Sequence, residues 1–159
     1  MKVNLGGNYP IEEGWVNVDN YAHGKGIIRH DLNHLPWPFE EGSVEEIKCT
    51  YVIEHLNLPL TDFLKECKRI LKHKGKLHLV TDNVGYWRDR INFLLGNWHK
   101  MRSYHPFHTY LYDYNTFVKI CAINGFTCAK EKRNTIFQKI SPQLFCSDID
   151  VVLFNNSDR

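Results

Sequence analysis

Lys2-Val3-Asn4-Leu5-Gly6-Gly7-Asn8 and Trp15-Val16-Asn17-Val18-Asp19 are two short β-like runs, each ending in residues suited to meet a ligand. In both, apolar side chains alternate with polar ones, the period-2 signature of a strand with one buried face. The first ends in two residues without Cβ and an Asn that tolerates positive φ, so its backbone can approach a bound molecule closely. The second ends in a carboxylate, at the position where nucleotide-binding α/β folds bond ribose hydroxyls. A glycine turn alone is common in ordinary tight turns, and an Asp often serves a turn; it is their order that carries information.

Working outward, further β-like runs appear at Gly26-Asp31, Glu46-Val52, Lys76-Thr81, Phe126-Lys132 and Asp148-Phe154, giving seven strands. Leu60, Phe63, Leu64, Cys67, Ile70 and Leu71 recur at helical spacing and run into Lys72-His73-Lys74-Gly75, which suits a helix C-terminus. Strand, helix and strand here make a parallel βαβ unit. Two more helical patterns run through Trp87, Ile91, Leu94, Leu95 and Trp98, read as a buried stripe, and through Tyr114, Phe117, Val118, Cys121 and Ala122 up to Gly125. The links among the first four strands are too short or too rich in Gly and Pro for full crossover helices. Parallel strands buried on both faces read as continuous apolar runs, whereas Val3/Leu5, Val16/Val18, Ile47/Cys49 and Leu77/Leu79 alternate with Lys, Asn, Thr and His. The fold class expected is α/β, a Rossmann-like, seven-stranded, mostly parallel sheet, trimmed, with helices mainly on one face. The other face is expected to be polar and partly open, or else to dock a partner or a second copy.

Composition narrows the rest. The 159 residues suit one domain, 13% are aromatic and 24% charged, and the net charge is only +2. That balance gives no prompt toward nucleic acid. No stretch approaches the ~20 apolar residues of a membrane span, and no apolar leader is visible at the N-terminus, so a soluble cytoplasmic protein is expected. Five cysteines without a C-x-x-C pair argue against a disulfide framework and a structural zinc site.

In order along the chain, Asn4-Leu5-Gly6-Gly7 with Gly14-Trp15-Val16-Asn17-Val18-Asp19, then His30-Asp31-Leu32 with Leu35-Pro36-Trp37-Pro38-Phe39, then Glu45-Glu46-Ile47 with Val52-Ile53-Glu54-His55-Leu56, and finally Cys67-Lys68-Arg69-Ile70-Leu71-Lys72 before Gly75, carry a resemblance. The set resembles the class I S-adenosylmethionine-dependent methyltransferases, in particular the small methyltransferase type 11 group. It departs from them at Asn8, where a glycine is common, at His73-Lys74-Gly75, where Pro-Gly-Gly is common, and in lacking a helix before the first strand. The resemblance implies S-adenosylmethionine as cofactor. Gly6 and Gly7 would lie against its methionine part, Asp19 would hold the ribose, and Asp31 with the backbone of Leu32 would meet the adenine, with Leu5 and Glu54 as further cofactor-binding residues. His55 follows the fourth strand, where the methyl group should emerge, and is a candidate base or acceptor-orienting group.

Residues 84–112 are expected to be a substrate-side insertion in a single domain spanning 1–159. With the Trp and Leu stripe set aside, Arg102, Tyr104, His105 and His108 are the acceptor-side candidates, His105 and His108 being further candidate bases. Two histidines without a matching Cys or carboxylate cluster fall short of a metal site, so none is expected. The function expected is methyl transfer by in-line displacement to a small molecule or glycan, with nucleic acid and protein acceptors left open. The alternative is a noncatalytic S-adenosylmethionine-binding or protein-interaction module, in which the His-rich segment would not converge on the cofactor pocket. A nicotinamide-dependent oxidoreductase is disfavoured because no G-x-G-x-x-G opens a helix.

Overall fold

The computed structural model describes residues 1–7, 13–129 and 135–156. Seven strands form one sheet: β1 (Lys2–Leu5), β2 (Trp15–Asp19), β3 (Ile27–Arg29), β4 (Val44–Thr50), β5 (Leu71–Asp82), β6 (Phe126–Cys128) and β7 (Asp148–Asn155). Their order is β3-β2-β1-β4-β5-β7-β6. The first five are parallel, and β7 runs antiparallel to both β5 and β6. Asn8 and the outer end of the expected strand Phe126-Lys132 lie outside the described residues.

Helix α1 (Leu60–Ile70) crosses from β4 to β5, and α3 (Tyr114–Ile123) packs beside it. Together they cover the side chains that alternate inward: Val3, Leu5, Val18, Ile47, Cys49, Leu77, Leu79, Val151 and Leu153 are all buried. The amphipathic pattern of α1 is the cause, since Phe63, Leu64, Cys67 and Ile70 fall on one face and bury there. Asp113 caps α3 by accepting the Thr116 N–H at 3.1 Å. The helix-covered core also takes Cys49, Cys67 and Cys121, whose thiols burial pushes up, so none is poised as a thiolate.

The opposite face is the polar one that alternation required. Glu46 there takes Lys2 at 3.2 Å and Lys76 at 2.7 Å, the Lys48 ammonium lies 4.3 Å from the centre of the Trp15 ring, and His78 meets Asp150 at 2.7 Å. Such pairs replace the apolar cover that a second helical layer would need.

Two expectations are corrected. The segment after α1 does not continue as a helix C-terminus: β5 starts at Leu71, which pairs with Val44 and is fully buried, and it is Lys74 that takes positive φ, at 59°. Gly75 is needed for space instead, because a Cβ there would stand 2.8 Å from the Lys72 carbonyl oxygen. The Trp87-to-Trp98 stripe is also not buried. Helix α2 spans only Trp87–Leu94, and Leu94 and Leu95 are 81% and 68% exposed while Asp89 is the buried residue. Helical spacing predicted the helix, but the side turned inward is the one whose carboxylate gathers the Arg102 and Ser103 N–H groups at 2.9 Å each. Two short helices, α4 (Ile136–Ile140) and α5 (Pro142–Phe145), precede β7.

Loop 32–41 reaches the site edge from under α1, held by one ion pair. Glu66 accepts the Trp37 N–H at 2.7 Å and Arg69 at 2.6 Å, while Arg69 donates to the carbonyls of Phe39 and Trp37. Trp37 in turn donates its indole N–H to the Leu32 carbonyl at 3.1 Å and stacks edge-on against Phe63. Burial works to raise the Glu66 carboxyl, but Arg69 and the Trp37 N–H outweigh it and leave it below its ordinary value. A depressed carboxyl contributes stability that is present above its unfolded value and is lost as pH falls through the folded one. Glu66→Ala is expected to lower unfolding stability by about 3 kcal/mol at neutral pH, because Arg69 and the Trp37 amide lose their acceptor together. Urea titrations at pH 7 and at pH 3 check this: the penalty should shrink at the lower pH.

Candidate functional site

The parallel strands deliver their carboxyl ends to one edge, where ligands of open α/β sheets sit. A cleft of about 690 Å³ lies there, lined among others by Gly6, Asp19, Asp31, Leu32, Tyr51 and His55. That volume falls within the usual range of small-molecule sites, roughly 300–1,000 Å³.

Gly6 ends β1 with φ +71°, and a Cβ on it would stand 2.3 Å from a Val52 methyl carbon. The left-handed turn and the close pass of the post-β4 segment both require a residue without a side chain. Gly7 is equally confined, by the Asn4 amide. Asp19 turns its Oδ1 onto the N–H groups of Tyr21 and Ala22, both at 2.7 Å, so one oxygen shapes the turn while the other accepts no bond among the described residues. Asp31 accepts from the Asn33 N–H and side-chain amide at 3.0 Å each, and meets His34 at 3.2 Å. The Asn33 N–H is the main reason its carboxyl sits below the ordinary value. Leu32 is buried under the cleft by the Trp37 anchor described above.

Three residues proposed at the cofactor, Leu5, Gly7 and Glu54, do not line the cleft. The Leu5 side chain points into the core, as the inward phase of β1 demands, leaving only its backbone near the site. Glu54 lies in a 3-10 turn, Ile53–His55, and its carboxylate turns under the rim, where Oε2 accepts the Thr81 hydroxyl at 2.9 Å. Its backbone carbonyl instead accepts the Thr109 N–H at 2.7 Å and so docks the segment carrying His105 and His108.

That segment converges on the cleft. Phe107 and Thr109 are among its lining residues, and His55, which also lines it, lies edge-on to His108 with ring centres 4.7 Å apart and to His105 at 6.5 Å. His55 Nδ1 faces the Phe107 carbonyl at 3.2 Å and His108 Nδ1 the Ser103 carbonyl at 3.0 Å. One ligand atom each from Glu54, His55 and His108 lie within 4.8 Å of one another, so the structure supplies two partners that sequence spacing had not given His108. Arg102 leaves the cleft and binds Asp148 in two contacts, at 2.7 and 3.2 Å. Tyr104 packs edge-on to Trp98.

Sequence reasoning missed Tyr51 and Asp148. Tyr51 lines the cleft with φ +53°, rare for an aromatic residue, and donates its hydroxyl to Asp148 at 2.8 Å. Burial, with that carboxylate beside it, pushes the Tyr51 phenol up to about 12. Asp148 begins β7, and only the antiparallel pairing Asp82↔Asp148 brings it to this edge. Nothing in the local sequence signals it.

Gly6→Ala combines a left-handed backbone with the Val52 overlap and is expected to lower stability by about 2 kcal/mol, read as a reduced urea midpoint. Adding Val52→Ala should recover part of the loss, because it removes the overlap but not the unfavourable φ.

Comparison with known proteins agrees with this edge of the fold. Residues 12–79 match the model of a methyltransferase domain family, type 11. An S-adenosylmethionine-dependent methyltransferase from Archaeoglobus fulgidus shares the fold with TM-score 0.65 at 17% identity, covering 96% of this chain and 85% of that one. A possible histamine N-methyltransferase from Thermotoga maritima gives 0.66 at 14% identity, covering 99% and 82%. A Haloferax volcanii putative methyltransferase complex with the Trm112 activator gives 0.61 at 13% identity, covering 98% and 82%. No curated protein matches the chain. The matched segment spans β2 to β5 and holds Asp19, Asp31, Glu54 and His55, and the shared fold extends beyond it. Residues 12–79 thus match a methyltransferase domain family, and the chain as a whole has the fold of the S-adenosylmethionine-dependent methyltransferases it resembles.

Proposed function

We propose that the chain transfers a methyl group from S-adenosylmethionine to an acceptor held between the cleft and the 84–112 segment, by in-line displacement. The observation that carries this reading is convergence: the His-rich segment meets His55 on the same edge as Gly6, Asp19 and Asp31. A noncatalytic module has no need of it.

The residues present suit the cofactor. The Gly6 turn offers backbone where a Cβ would intrude, and the Asp19 oxygen left by its turn suits ribose hydroxyls. Asp31 is an acceptor for the adenine amino group, with Leu32 as the apolar neighbour of the ring. S-adenosylmethionine brings an electrophilic methyl and its own leaving group. The protein's part is then alignment and exclusion of water, and alignment of this kind contributes roughly 7–11 kcal/mol to lowering a barrier. His55, with His105 and His108 beside it, is the group we assign to orienting an acceptor or taking its proton. The Glu54 carbonyl fixes the segment that presents two of them. The modest charge favours a small molecule or glycan acceptor over a polyanion.

Isothermal calorimetry tests the cofactor half. One site for S-adenosylmethionine is expected, with Asp19→Ala weakening it about 10- to 100-fold, the equivalent of one charge-assisted bond. No binding by the wild-type chain would overturn the reading, and binding without turnover on any acceptor class would favour the noncatalytic module.

A further inference from the structure

We propose that Glu54, His55 and His108 form a binding site for one divalent transition-metal ion at the rim of the cleft. Three observations carry it. One ligand atom from each of the three side chains lies within 4.8 Å of the other two. Glu54 is 2% exposed, and its Oε1 has no hydrogen-bond partner among the described residues. A carboxylate oxygen buried without a partner is costly, and a cation is the usual remedy. Finally, His55 and His108 each direct Nδ1 at a backbone carbonyl, of Phe107 and Ser103. A carbonyl only accepts, so Nδ1 carries the proton and Nε2 keeps its lone pair in both rings. That is how protein scaffolds fix a ligating imidazole.

The surroundings fit a positive ion. Asp82 follows Thr81, the partner of Glu54, and its contact with Arg102 is the long one at 3.9 Å, since Arg102 binds Asp148 at 2.7 Å. Two imidazoles and a carboxylate suit zinc, cobalt, iron or manganese, and three protein ligands leave coordination positions open. Ligands at about 2.1 Å in tetrahedral geometry stand about 3.4 Å apart, so small side-chain rotations close the site. The three residues come from two segments that the Glu54 carbonyl already ties together through Thr109 and Tyr110.

An ion here has a chemical consequence for the acceptor, one that rests on the methyl-transfer reading, whereas ion binding itself does not. The open positions suit an oxygen donor. A hydroxyl bound there loses its proton to the His105 imidazole, its oxygen forms the new bond to the methyl carbon, and the carbon–sulfur electron pair stays on sulfur. A hydroxyl-bearing acceptor is therefore the class that fits.

Cobalt(II) titration of the metal-free full chain, followed by visible absorption and by zinc competition, tests the site. One equivalent should bind with ligand-field bands of a nitrogen- and oxygen-coordinated ion, and zinc should displace it. Glu54→Gln and His108→Ala should each weaken binding at least about tenfold. Far-UV circular dichroism and S-adenosylmethionine calorimetry on the same variants separate lost ligation from lost folding, and His105→Ala should leave cobalt affinity unchanged. No stoichiometric binding by the wild-type chain, or equal binding by both ligand variants, would overturn the site. Loss of cofactor binding in Asp19→Ala with cobalt binding intact would support the two sites as separate.

Discussion

Parallel pairing of β1 with both β2 and β4 is the constraint on which the rest of the molecule depends. It sets Leu5 beside Val18 and Cys49, so the turns that follow, at Gly6, at Asp19–Ala22 and at Tyr51–His55, all open on one edge. Parallel strands cannot be joined by tight hairpins. The chain must return to the far edge each time, and the carboxyl ends are left free to build a cleft. Val52 closing on Gly6 then fixes the depth of that cleft at the one point where a side chain would fill it.

Covering only one face of the sheet is the second determinant. The β4-α1-β5 crossover and α3 supply a single apolar layer, and the bare face is managed by Glu46 between two lysines and by Lys48 over Trp15. The same α1 that seals the core also positions the site through Glu66 and Arg69, which hold Trp37 and thereby Leu32. Packing and binding geometry are thus joined through a few side chains rather than kept apart.

Much of this was legible in the sequence. Alternation in β1, β2, β4 and β5 revealed both the strands and the open face, and the spacing of Phe63, Leu64, Cys67 and Ile70 revealed α1. The cluster of His55 with His105 and His108 could be suspected from chemistry, yet 50 residues of chain separate the first two and only folding joins them. Local patterns failed where tertiary contacts decided: α2 shows a regular apolar stripe but turns Asp89 inward, because the buried carboxylate is saturated by Arg102 and Ser103. Glu54 read as a cofactor contact from its place after β4, but the 3-10 turn directs it to Thr81. Asp148 and Tyr51 meet only through the antiparallel register of β5 and β7.

The most direct test of the central claim is a crystal structure of the chain with S-adenosylhomocysteine. The account predicts density in the cleft, with the ribose at the Asp19 carboxylate, the adenine beside Asp31 and Leu32, and the sulfur on the side facing His55. A ligand seated elsewhere on the molecule, or reversed in the cleft so that adenine met His55, would contradict it.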